Sequence, residues 1–317
     1  TASGGTGAYT YNWTGPGVVA SDEDQSGLGT GTYAVTITDV NGCTVTASYD
    51  LTEPTPVAVS EGLDQPDCNV ASGALDGGHL ILSDEERKEI LSNHPEAEIF
   101  IRKYVGSNEF INGNSRWCLW ITDENYAEAS DISAIKEKIE AVRSFRENAG
   151  TRAKTAVGRP HKFAWINIPE SSQIIIPTIS SERRAYIPIG YLDTSTIVSN
   201  SASIVHDPDL SNFAILTSRM HMVWVKNVSG KLKSDYRYSA KLCYNTFPFP
   251  EINQKQKEQI NLHVFEVLEE REKHSGKTLA QLYDPNKMPK GLKEAHHQLD
   301  LAIERCYRLK PFESDTE

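Results

Sequence analysis

The sequence has 317 residues, of which 38% are hydrophobic and 24% charged, with a formal net charge of −11 at pH 7. That length accommodates two or three domains with cores of their own, and the balance is that of a soluble globular protein. No apolar run approaches the roughly 20 residues needed to span a bilayer, so no membrane-spanning helix is expected. Cys43, Cys68, Cys118, Cys243 and Cys306 are scattered without a C-x-x-C pair. This argues against a zinc ribbon or disulfide framework and for a reduced, cytoplasmic setting. No signal peptide is visible, and the start at Thr1 suggests a chain that begins inside something larger.

Charge is unevenly spread. No Lys or Arg precedes Arg87, whereas Asp22, Glu23, Asp24, Asp39, Asp50, Glu53 and Glu61 are all acidic. The asymmetry points to two joined modules of different kinds. Residues 1–56 read as a small all-β module. Tyr33–Thr38 alternates with strand period, Asn41-Gly42 marks a hairpin turn, and Thr44–Tyr49 is the return strand. Tyr9–Trp13 adds another strand. Gly27, Gly29 and Gly31 lead into a strand instead of a helix N-terminus, so they do not make a phosphate loop. Thr52-Glu53-Pro54-Thr55-Pro56 ends this module, and residues 57–75 read as a linker.

Beyond the linker, Ser83 and Glu86 form a capping box ahead of a short helix. Arg116–Ile121 reads as a buried strand. From Ser130 onward, Ile132, Ile135, Ile139, Val142 and Phe145 keep helical spacing. The basic residues Arg143, Arg146, Arg152, Lys154, Arg159 and Lys162 follow, as a solvated helix tail or as contacts to a phosphate backbone. Short strands then recur as FAWINI, QIIIP, AYIPI and ASIVH between residues 163 and 206. Ser180-Ser181-Glu182-Arg183-Arg184 sits at a strand end, where loops carry function. After Pro250 the pattern is helical. Ile260, Val264, Val267 and Leu268 share one face. Pro289 opens a second helix with Leu292, Ala295, Leu299, Ala302, Ile303 and Cys306 inward, which places His296 and His297 on the helix surface.

The stretch Leu216–Pro250 reverses the sign of the chain. Six basic residues (Arg219, Lys226, Lys231, Lys233, Arg237, Lys241) face a single carboxylate, Asp235, with aromatic and methionine residues interleaved. Such a composition fits either a phosphate-binding surface or a solvated helix face followed by core aromatics. Lys233 and Asp235 are two residues apart, so in an extended segment they point to one side. Lys donates to guanine O6 and N7, and Asp accepts from cytosine N4, so the couple suits one G·C base pair. A local surface ion pair is the other reading. A glycine-rich S-adenosylmethionine loop and an Asn/Asp-Pro-Pro-aromatic motif are both missing, and Asn245–Phe249 lacks the paired prolines. Pro66-Asp67 with Glu86-Arg87-Lys88 matches nuclease spacing only loosely, since Glu86 serves as the cap.

The strings DGGHLILS, FIRKYVGSNEFINGNSRWCLWI, IPTISSERRAYIPIGYLD, LTSRMHMVWV, SGKLKSDYRYSA…YNTFPFPE and LYDPNKMP occur in order. Together they resemble the target-recognition and helical C-terminal region of MmeI-like (type IIL) restriction-modification enzymes and adenine-specific DNA methyltransferases. The order GTGAYTYNW then GLGTGTYAVTITDVNGCTVTASYDLTEP resembles a SprB-type repeat of bacterial surface proteins, in the place where the first family has its catalytic domain. The resemblances imply a multidomain chain: a β repeat (1–56), an α+β target-recognition domain (76–250) and an α-helical C-terminal domain (251–317). They imply double-stranded DNA as partner, with Lys233 and Asp235 reading bases. Arg183, Arg184, Arg237, Tyr238 and Ser181 would make backbone or neighbouring contacts. The parent enzyme would methylate adenine N6 with S-adenosylmethionine, using a methyltransferase core that this chain lacks. The chain itself would hold no cofactor and be inactive. The alternative function is that of an extracellular adhesion module led by residues 1–56.

Overall fold

The computed structural model describes residues 4–51 and 68–316 and divides into two compact units, residues 1–62 and 63–317. In the first unit, β1 (Thr10–Thr14), β2 (Gly31–Thr38) and β3 (Thr44–Leu51) form an antiparallel sheet in that order. Gly42, at φ +82°, turns the β2–β3 hairpin as the Asn-Gly signal requires. Tyr33 and Val35 fill the small core.

The second unit is mixed α/β and ends in helices. Its elements begin with β4 (Cys68–Val70), β5 (Ile81–Leu82) and α1 (Asp84–Asn93). Next come β6 (Ile101–Val105), α2 (Ser107–Asn112), β7 (Trp117–Leu119), α3 (Tyr126–Asp131), α4 (Ser133–Asn148) and α5 (Thr151–Lys154). The middle of the unit contains β8 (Ser172–Pro177), β9 (Ile179–Ser180), β10 (Gly190–Asp193), β11 (Ile197–Val198) and β12 (Ala202–His206). Then follow α6 (Leu210–Leu216), α7 (Arg219–Val228), β13 (Gly230–Leu232), β14 (Asp235–Arg237) and a π-helical turn, Ala240–Tyr244. The chain closes with α8 (Gln254–Glu272), α9 (Leu279–Leu282) and α10 (Lys290–Tyr307).

Two four-stranded sheets, β10-β8-β12-β4 and β11-β6-β7-β5, anchor the unit. β8 lies inside the first. Ile174 and Ile176 face one core with Val205, Phe213 and Val264, while Ile175 faces another with Ile204 and Val198. This is the strand period expressed as two buried faces. β4 pairs with β12, and Ala71, Ser72 and Ala74 are buried. Residues 68–75 are therefore core structure and not linker; the rest of the expected linker, 57–67, lies outside the described residues.

FAWINI and AYIPI are not strands. Trp165 makes only an isolated bridge to Gly73, and a Cβ at Gly73 would lie 1.9 Å from the Trp165 ring. Tyr186, Ile187 and Ile189 are buried core residues, and pairing begins at Gly190, after Pro188. Near the β8 end, Asp207, at φ 44°, accepts hydrogen bonds from the backbone N–H of Glu170, Ser171 and Ser172 and from the Ser171 hydroxyl. Those bonds, the Ser171 hydroxyl first, hold its pKa down at about 2. A depressed carboxylate stabilises the fold above its unfolded pKa and loses that contribution as pH falls. Asp207→Asn is expected to unfold less steeply than the unsubstituted protein between about pH 4 and pH 2 in acid titrations followed by circular dichroism.

The capping box at Ser83 and Glu86 forms as expected. In the basic region that begins within α4, Arg146 departs from both expected roles, whereas Arg152, Lys154 and Arg159 are exposed. Arg146 is fully buried. It donates to the carbonyls of Leu75 (2.9 Å), Ala156 (3.0 Å), Arg159 (2.9 Å), Ala74 (2.8 Å) and Lys162 (2.8 Å). Arg143 pairs with Glu140, Arg152 lies over the Trp165 ring, and Lys162 pairs with Asp123.

Candidate nucleic-acid interface

β13 and β14 form a hairpin in which Leu232 faces Asp235, so Lys233-Ser234 is a two-residue turn. Lys233 has φ +57°. The extended geometry expected for residues 233–235 is thus replaced by a tight turn. Lys233 stands on the tip and Asp235 begins the return strand. Lys231, Leu232, Lys233, Ser234 and Arg237 are exposed, and Asp235 is half-buried. Lys231 leans over the Tyr236 ring, 5.4 Å from its centroid.

β14 also pairs with β9, with Tyr236 opposite Ser180 and Arg237 opposite Ile179. This register brings the Ser181–Arg184 loop beside the hairpin. Arg183 is exposed, and its N–H donates to the Ser181 hydroxyl. Arg184 is half-buried, and desolvation lowers its pKa against the opposing fields of Asp235 and Asp284. Two segments separated in sequence therefore converge on one surface: Ser181, Arg183 and Arg184 from the loop, and Lys233, Asp235 and Arg237 from the hairpin.

Tyr238 does not belong to that surface. It is 4% exposed, and its hydroxyl lies 3.2 Å from His221 Nε2. Burial lowers the His221 pKa to about 3, so the ring is neutral at physiological pH. The interleaved aromatics mostly turn inward, because Tyr244 and Phe247 are also core residues. The helical cations are engaged within the chain: Arg219 and Lys226 both pair with Asp315, at 2.6 and 3.7 Å. Hence the window from Leu216 to Pro250 is partly core and partly basic surface. Apart from Arg219, the exposed cations of this window lie on the hairpin and at Lys241 in the π-helical turn.

α8 and α10 back this arrangement and share its main core through Ile260, Val264, Leu299 and Ile303. His296 is completely buried, contrary to its expected surface place, whereas His297 is exposed. His296 lies one helical turn from Leu292 and from Asp300, and all three are on the buried face of α10. Asp300 was missed by sequence reasoning; its signal was a carboxylate within an apolar stripe. Asp284 lies in a loop that no periodicity singled out. Among the described residues, no group of three or more His, Cys, Asp or Glu could hold a metal ion. No described helix is long and apolar enough to cross a membrane.

Comparison with known proteins gives this surface a context. The family model described as MmeI, target recognition domain, matches residues 59–251, and MmeI, C-terminal domain, matches residues 252–317. DNA methyltransferase A of Bacillus subtilis (strain 168) is 41% identical over 255 residues, covering 80% of this chain and 29% of the relative. The solved structure of the type IIL restriction-modification enzyme MmeI in complex with DNA aligns with a TM-score of 0.77 at 32% identity. That alignment covers 87% of this chain and 38% of MmeI. The chain thus spans less than two fifths of either protein. By these matches it belongs to the MmeI target recognition domain family, with the family's C-terminal domain following.

Proposed function

We propose that this chain recognises a specific sequence in double-stranded DNA as the specificity portion of an adenine-N6 DNA methyltransferase of the restriction-modification type, acting in the cytoplasm. Support comes chiefly from the convergence of the Ser181–Arg184 loop and the β13–β14 hairpin on one exposed basic surface. Lys233 and Asp235 read bases, and Arg183, Arg184, Arg237 and Ser181 make neighbouring or backbone contacts. S-adenosylmethionine and the methyl-transfer step belong to a catalytic core supplied by the parent enzyme, and no residue of this chain is assigned to them. The family matches begin at residue 59 and lend nothing to the surface-adhesion alternative.

The chain is expected to bind duplex DNA with an affinity that falls steeply as salt rises. Arg237→Ala should weaken binding across unrelated sequences and lower the slope of log affinity against log salt by about one. Fluorescence anisotropy over a salt series measures both. Binding insensitive to salt, or no binding by the unsubstituted chain, would remove the proposal.

A further inference from the structure

The Ser181–Ala185 loop is held from two directions. Its leading end is β9, which pairs with β14 of the hairpin. Its trailing end enters the buried segment Tyr186–Ile189, whose polar contacts run to residues beyond 252. Tyr186 donates a 2.7 Å hydrogen bond to Asp300 Oδ2 in α10, and its ring stacks on His296 at 4.1 Å between centroids. The Ile189 carbonyl accepts from Arg271 Nη1 in α8 at 2.7 Å. Arg271 Nε also donates to the Tyr283 hydroxyl, which lies 2.8 Å from His296 Nε2.

Asp300 does more than receive Tyr186. Its other oxygen accepts the backbone N–H of Arg219 at 2.8 Å. Arg219 is the first residue of α7, the helix that runs directly into the hairpin. One carboxylate therefore ties the loop and the helix preceding the hairpin to the same point of α10. A buried carboxylate is a poor source of net stability, because desolvation offsets its contacts. Burial indeed pushes the Asp300 pKa up to about 6 despite both hydrogen bonds. What the carboxylate supplies is a fixed geometry.

We propose that Asp300, through Tyr186 and the α7 N-terminus, is a positioning residue that sets the Ser181–Arg184 loop relative to the base-reading hairpin. Residues 252–317 thereby contribute to sequence discrimination without touching the bases. This rests on the DNA-recognition function proposed above.

The test uses the full chain and the variants Tyr186→Phe, Asp300→Ala and Asp300→Asn. Tyr186→Phe removes only the hydroxyl and keeps the ring against His296, so it preserves the fold if the alanine variant does not. Amide hydrogen exchange is measured by residue, and preferred sites are selected from a randomised duplex library. Tyr186→Phe is expected to speed exchange within 181–189 by about tenfold while the sheet β10-β8-β12-β4 stays protected. Preference at one or two base pairs should fall by about tenfold. The salt slope should change less than in Arg237→Ala, since no charged side chain is removed. Asp300→Asn, which keeps an acceptor, should recover part of the preference. Unchanged exchange in 181–189, or faster exchange with undiminished sequence preference, overturns the positioning role. If the unsubstituted chain selects no site, the DNA-recognition function fails first and the positioning role with it; behaviour of the unsubstituted chain tells the two failures apart.

Discussion

Arg146→Met is expected to lower the free energy of unfolding by about 4 kcal/mol or more, placing it among the largest single-residue effects. A guanidinium has five N–H donors, and all five here go to backbone carbonyls, from Ala74, Leu75, Ala156, Arg159 and Lys162. These carbonyls lie on two segments joined by backbone bonds only around the Gly73–Trp165 bridge, and the side chain braces them beyond it. Methionine fills much of the volume but strips the Leu75 and Lys162 carbonyls of their donor, at about 1–3 kcal/mol for each one that water cannot reach, while those of Ala74, Ala156 and Arg159 keep one backbone N–H each, from Ala164, Arg159 and Lys162. Arg146→Lys keeps the charge and loses the planar fork, so it should also be strongly destabilising. Arg143→Ala provides the control. Arg143 pairs with Glu140 on the helix surface, and such pairs contribute less than about 1 kcal/mol. Urea unfolding of the three variants decides the matter. Equal losses for Arg143→Ala and Arg146→Met would mean that the buried fork contributes nothing special.

The same residue marks the boundary of what the sequence makes legible. Helical spacing identified α4, α8 and α10, and the Ser83/Glu86 pair identified a helix start, because these signals are local. The helix period aligns Arg146 with Ile139 and Val142, yet composition groups it with the solvated or phosphate-contacting cations. Its partners lie up to 72 residues away in sequence, however, so its purpose is visible only in three dimensions. AYIPI and FAWINI have strand-like composition and are not strands, because burial of Tyr186, Ile187 and Ile189 satisfies the same apolar residues without a ladder. Residues 68–75 look like linker because most of them are small, yet a small residue is what the close approach of Trp165 to Gly73 demands.

The candidate interface was legible in its charge and not in its geometry. Local composition marked the basic residues around Lys233. The turn at Lys233-Ser234 carries neither Gly nor Asn, the residues that usually announce a positive φ, so nothing local distinguished it from strand. The resemblance puts Tyr238 among the contacts, yet it directly follows Arg237, and alternation along an extended segment sends neighbours to opposite faces. The contact between Tyr186 and Asp300 spans 114 positions, beyond the reach of any periodic signal.

The exchange of Lys233→Glu with Asp235→Arg is expected to reverse the preference at one base pair from G·C to C·G. The argument depends on the direction of donation. Lysine donates to the acceptor pair of guanine, and aspartate accepts from the amino group of cytosine. Each contact discriminates by about 1–3 kcal/mol, so reversing both swings the ratio of the two base pairs by on the order of a thousandfold. Asp235 also lies in the field of Arg184, and the double exchange puts a second cation there. Asp235→Glu with Lys233→Arg is therefore the companion variant, retaining both signs and the original preference. Single changes separate base readout from a local ion pair. Lys233→Glu alone places two acceptors on the hairpin, which suits neither orientation and repels phosphate, so affinity should fall for every sequence. If instead the two side chains served only each other, the double exchange would restore their attraction. Selection from a randomised duplex library would then recover the same site as the unsubstituted chain, and the hairpin tip would have no part in choosing a base.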